Sequence, residues 1–243
     1  PPKRTKEQEM IDDIRATLLE RPKEEALHFN LGLLLLSSSP NGAPDEGTKR
    51  EAMMAFQNSV MLNPERIGSW YNLAVLSDEF GDASRALEGY DRVLQLTGKE
   101  EEQLRVAAYS NKVTIYTNQG NLEAAAKTSE TAVKEFPNEG SLWCAMGVVL
   151  RMDRNVEWAT KSFENALACC ENRTQDENCL VALNNLGALY ASSAMAGDAE
   201  AGNAMAMKAA TMYERALELA PNDLSTLYGL GVLRRDMGQT SQA

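Results

Sequence analysis

The chain has 243 residues with 44% apolar content, ample for a packed core, and 24 Lys and Arg against 35 Asp and Glu leave a net charge of −11. That balance argues against a phosphate backbone as ligand, so no nucleic-acid partner is expected, and the acidity fits a solvated surface. The longest aliphatic run, Leu33 to Leu36, is far too short to cross a bilayer, so no membrane insertion is expected, and the opening PPKRTKEQEM lacks the apolar centre of a secretory signal.

Met10 to Leu19 places Ile11, Ile14 and Leu18 on one helical face ahead of Pro22, and reads as a capping helix within residues 1–24. Leu27 to Leu36 forms the next apolar helix, followed by a Pro/Gly/Ser loop from Ser37 to Gly47. Ala52 and Phe56 then mark a helix that closes at Asn63-Pro64. In Ser69 to Leu96, Trp70, Leu73, Ala74 and Ser77 fall at helical spacing, Gly81-Asp82 breaks the pattern, and Ala86, Tyr90 and Val93 stripe a second helix. Small residues at Ala74 and Ala86 let the two helices approach closely, and neither helix could bury its apolar face alone.

Glu100 to Val106 is a charged stretch that extends a helix. Tyr109 and Tyr116 frame another first helix, with Lys112 at the usual Leu place; Gly120-Asn121 makes its turn, Ala125 and Ser129 start the second helix, and Pro137 closes it. Trp143, Met146, Gly147 and Leu150 open the next pair, completed by Ala159, Phe163 and Ala166. A polar loop from Glu171 to Asn178 precedes Leu183, Leu186, Gly187 and Tyr190; an alanine-rich, mostly helical insertion, Ala191 to Met207, leads to Ala209, Tyr213, Ala216 and Pro221. Leu227, Leu230 and Gly231 begin a last, truncated unit, and the stripe of Leu227, Leu230 and Leu233 is expected to be covered by more chain or by another molecule.

These residues resemble the tetratricopeptide repeat, whose signature is W-x2-L-G-x2-Y, a turn, A-x3-F and a closing proline. The tryptophan places are His28, Trp70, Tyr109, Trp143, Leu183 and Leu227, separated by 42, 39, 34, 40 and 44 residues. The family period is about 34 residues, and each excess falls in a loop or insertion. The resemblance implies an all-α, right-handed superhelix of antiparallel helix pairs, with about six repeats. Residues 25–243 would form this one domain, with insertions near 37–47, 100–106, 171–179 and 194–204.

Catalysis finds no support. A single histidine, His28, excludes a His-based triad or a multi-His metal site, and it reads as a packing substitute at an aromatic place. No phosphate-cradling glycine loop occurs, and Asp12-Asp13 and Glu24-Glu25 lie in charged, solvated surroundings. The four cysteines match no zinc spacing, so reduced, structural thiols are expected, in the cytoplasm or another reducing compartment; a removed targeting segment stays open. No enzyme activity, cofactor or metal is expected.

The place before the motif Leu is Asn30, Asn72, Asn111 and Asn185 in four repeats, and Ala145 and Gly229 in two. The resemblance implies that first helices line a concave groove and that this place points into it, as in the asparagine ladders that hold peptide backbone in some family members. An amide offers a donor and an acceptor together, which suits a peptide unit. Phe29, Tyr71, Val75 and Thr114 would read the ligand's side chains. The carboxylate clamp that other family members use for acidic chaperone tails needs cations beside the asparagines; Phe29, Tyr71, Ser110, Cys144 and Tyr228 stand there instead, so that ligand is not expected. The expected function is a protein-interaction module that binds an extended segment of a partner. The alternatives are a scaffold subunit docking by its convex face or ends, and a non-catalytic targeting domain of a longer enzyme.

Overall fold

A computed structural model describes residues 5–38, 43–170, 177–196 and 199–238. Parts of three expected loops or insertions, 39–42, 171–176 and 197–198, lie outside the described residues, as do 239–243. Among the described residues the structure is all-α, with twelve helices and one 3-10 turn at Lys99–Glu101. The all-α repeat expected from the sequence is what forms. Contacts divide the chain into two compact units, residues 1–111 and 112–243, with the boundary inside one helix, α6 (Glu102–Asn118).

In the first unit, α1 (Lys6–Glu20) packs on α2 (Glu25–Ser37) through Ile11, which is 1% exposed. α2 pairs with α3 (Glu46–Leu62), and α4 (Ile67–Glu79) pairs with α5 (Ala83–Leu96). Leu31, Leu35, Phe56, Val60 and Leu73 form one buried cluster across these helices. A buried polar network adds direction to it. Glu25, at the start of α2, accepts from the Ser59 hydroxyl of α3 and from the Arg66 guanidinium, at 2.9 and 2.7 Å. Ser59 in turn shares a hydrogen bond of 2.6 Å with Ser69 of α4.

In the second unit, the latter half of α6 packs with α7 (Leu122–Glu135) and α8 (Gly140–Met152) through Val113, Ala125 and Val149. α8 pairs with α9 (Val156–Cys170), and α10 (Glu177–Ala196) with α11 (Ala199–Leu219). α12 (Leu224–Asp236) closes the described chain. Leu230 and Leu233, expected in an uncovered stripe, are each 5% exposed, because they face Tyr213, Ala206 and Ala209 of α11. The exposed apolar residues of α12 are instead Leu224, Leu227 and Tyr228.

The helix turns repeat one device. Gly81, Gly120 and Arg154 adopt φ of 79°, 71° and 61°, and the next residue's N–H reaches back to close the preceding helix at 2.8 to 2.9 Å. That same next residue, Asp82, Asn121 or Asn155, then caps the following helix with its side-chain oxygen.

One sequence expectation needs correction. Cys170 and Cys179 are joined in a disulfide, where four reduced thiols were expected; the end of α9 and the start of α10 bring their Cα atoms to 5.9 Å, within bonding reach. Cys144 and Cys169 are free thiols. By length and composition alone, the segment Asn178–Ala196 of α10 is long and apolar enough to cross a membrane. About a third of it is buried, including Leu183, Leu186 and Leu189.

Candidate functional site

The motif leucines Leu31, Leu73 and Leu186 are buried, and the preceding residue lies about 100° away round each helix, towards its margin. Four asparagines occupy that margin in different states. Asn30 is exposed, and its amide makes no hydrogen bond among the described residues. Asn72 and Asn185 are half-buried, and each donates one N–H to a carbonyl of its own helix, Gly68 at 2.7 Å and Val181 at 2.8 Å. Asn111 donates to the Tyr90 hydroxyl at 2.9 Å. Each bonded amide keeps its oxygen and a second N–H.

The four neighbouring residues differ as much. Phe29 is half-buried, 6.1 Å from the Phe56 ring and beneath the Arg66 guanidinium at 5.0 Å. Tyr71 stands edge-on to Tyr90 at 6.0 Å, Val75 is half-buried and Thr114 is exposed. Phe29 and Tyr71 therefore spend much of their surface inside the repeat. Burial pushes the Tyr90 hydroxyl far above the usual tyrosine range, with Tyr71 and Asp78 adding to it and the Asn111 hydrogen bond opposing. Tyr90 stays neutral and can hold Asn111 in place.

One residue the sequence reading passed over is Asn184, next to Asn185. Its amide N–H donates to Asp223 at 3.2 Å, and the Thr226 hydroxyl, 2.6 Å from both the Asn184 oxygen and Asp223, shares its one proton between them, tying α10 to the start of α12. The hydrogen bonds from Thr226, with Asn184 as a lesser cause, hold the Asp223 carboxyl below its usual range. The doubled asparagine in LNNLG was the available signal. Asn184 also lines a groove of 740 Å³ between α10, α11 and α12. A second groove, of 610 Å³, runs between α7, α8 and α9 beside Trp158, which is 54% exposed. No group of three or more His, Cys, Asp or Glu side chains converges as a metal site among the described residues.

A tetratricopeptide-repeat family model matches residues 106–139, from within α6 to the turn after α7. Residues 106–139 are a tetratricopeptide repeat. Comparison with curated proteins finds no significant sequence match. Among solved structures, the chain is similar to YrrB, described as a TPR protein with an unusual peptide-binding site, at 14% identity and TM-score 0.61, covering 88% of this chain and 96% of that one. It is similar to BtubC (BKLC) from P. vanneervenii at 22% identity and TM-score 0.63, covering 81% and 84%. It is also similar to MamA from Desulfovibrio magneticus RS-1 at 16% identity and TM-score 0.60, covering 82% and 97%. At these identities the likeness concerns the fold.

Proposed function

We propose that this chain is a protein-interaction module that holds an extended segment of a partner protein along its first helices. The carrying observation is the recurrence of asparagine at one motif place in three successive repeats, with Asn30 open to a ligand and Asn72 retaining an acceptor and a donor. Packed helices stand about 10 Å apart and an extended peptide advances about 3.3 Å per residue, so successive amides match peptide units about three residues apart. That a structural neighbour, YrrB, has a peptide-binding site supports this reading. The test is selection of a displayed random library of twelve-residue peptides on the immobilised chain. Chosen peptides should lose affinity for Asn30→Ala and Asn72→Ala variants. Equal binding to wild type and variants would remove the ladder from the function.

A second reading, docking by the second-helix face, has its own support. Trp158 is 54% exposed on α9 and carries Lys161 4.9 Å from its ring, at the rim of the 610 Å³ groove. Exposed tryptophans beside grooves are common binding anchors. Loss of partner binding on Trp158→Ala, with the asparagine variants unaffected, would favour it.

A further inference from the structure

The fifth helix pair departs from the others in length. α10 has 20 residues and α11 has 21, against 13 in α8 and 15 in α9. The excess lies at the hairpin end, where Gly202 comes so close to α10 that a Cβ there would stand 2.7 Å from the Ala194 carbonyl oxygen. The alanine-rich insertion is thus helical on both sides of residues 197 and 198 and builds a wall beside α12.

Between that wall and α12 lies the groove of 740 Å³, within the range of ligand pockets, about 300–1,000 Å³. Ala188, Ala191 and Ser192 of α10 and Ala206 of α11 keep it open, because short side chains leave the space unfilled. Tyr228, 77% exposed, and Val232 form the opposite side. Asn184 is already committed to Asp223 and Thr226. Among the described residues, the one charged side chain in the lining is Asp236, and Arg235 engages only its Oδ1. An anionic ligand would meet no counter-charge here. A bulky apolar side chain finds apolar walls and an aromatic ring, and a cation beside it finds the free carboxylate oxygen.

We propose that this groove is a second recognition site, which seats a bulky apolar side chain of a partner peptide while a neighbouring Lys or Arg meets Asp236. The site goes beyond the asparagine-ladder reading, since Asn30, Asn72, Asn111 and Asn185 do not line it. The two stand or fall separately.

The test uses the whole chain and a displayed random library of twelve-residue peptides. Selection should return a class rich in Trp, Phe or Leu with Lys or Arg close by. Affinity of that class should fall at least about tenfold for Ala188→Trp, which fills the groove from an exposed position. Tyr228→Ala, also at an exposed position, should weaken the same peptides, and Asp236→Lys should weaken those with a basic residue most. Asn30→Ala and Asn72→Ala should leave this class unchanged. Failure to recover such a class, or its equal binding to folded Ala188→Trp and Tyr228→Ala variants, would overturn the proposal. Sedimentation with phosphatidylcholine–phosphatidylserine vesicles, lost on Met195→Glu, would also overturn it, since the apolar hairpin end would then serve a lipid surface.

Discussion

His28 Nε2 lies 2.8 Å from the carbonyl oxygen of Pro22, six residues earlier. Trp70 and Trp143 make the same contact, donating from Nε1 to Pro64 and Pro137 at 2.8 Å. A carbonyl only accepts, so the imidazole carries its proton on Nε2, and histidine replaces tryptophan here as a ring N–H donor. His28→Phe should therefore cost about 1–3 kcal/mol, because it leaves the Pro22 carbonyl without this partner, whereas His28→Trp should restore the bond. Urea denaturation of both variants checks this, and equal stability of the two would refute it.

The Glu25 network gives the first unit a pH dependence. The Arg66 hydrogen bonds, assisted by Ser59, hold the Glu25 carboxyl below its usual range against the opposing effect of burial. A carboxylate lowered in the folded state contributes stability above its unfolded pKa and loses it as pH falls through the folded value. Glu25→Gln should cost about 1–3 kcal/mol at pH 7 and little at pH 2 to 3, where the wild-type carboxyl is itself protonated. Thermal unfolding across that range would show the two curves converging; parallel curves would contradict the assignment.

Three motif glycines are sockets for an aromatic ring of the partner helix. A Cβ on Gly32 would meet the Phe56 ring at 2.6 Å, on Gly147 the Phe163 ring at 2.7 Å, and on Gly187 the Tyr213 ring at 2.7 Å. Among the described residues nothing lies within 4 Å of a Cβ on Gly231. Alanine at Gly147 should cost about 1–3 kcal/mol through overpacking, while Gly231→Ala should stabilise by about 0.5–1 kcal/mol through helix propensity. Opposite signs in chemical denaturation are the expected result.

These sockets explain why the repeat register was legible in the sequence. Glycine on one helix and Phe or Tyr on the next are forced by close approach, and their spacing follows from the helical period, so Gly32 with Phe56 and Gly147 with Phe163 stand out without a structure. What depends on the phase of one helix against another was not legible. Asn184 and Asn185 are adjacent, yet only Asn184 reaches α12, and burial of Leu230 and Leu233 depends on which side α11 covers. The Cys170–Cys179 pairing depends on how α9 and α10 meet.

That disulfide closes a sequence separation of nine residues. In the chain-entropy account a loop of this size contributes about 3 kcal/mol. Dithiothreitol, or Cys170→Ser with Cys179→Ser, should lower the melting temperature of the second unit, and thiol titration of the denatured chain should count two free thiols before reduction and four after. Four before reduction would disprove the bond.

The central claim is that side-chain amides on the first helices hold a partner's backbone. Asn30 and Asn72 are the clean positions, because Asn111→Ala would also remove the partner of the buried Tyr90 hydroxyl. Each lost hydrogen bond should cost about 0.5–1.5 kcal/mol, so the Asn30→Ala, Asn72→Ala pair should weaken a ladder-bound peptide about tenfold. Calorimetric titration of a library-selected peptide that competes poorly with groove-binding peptides measures this directly. A tenfold loss with unchanged circular dichroism is the predicted result; undiminished affinity in the folded double variant would contradict the ladder.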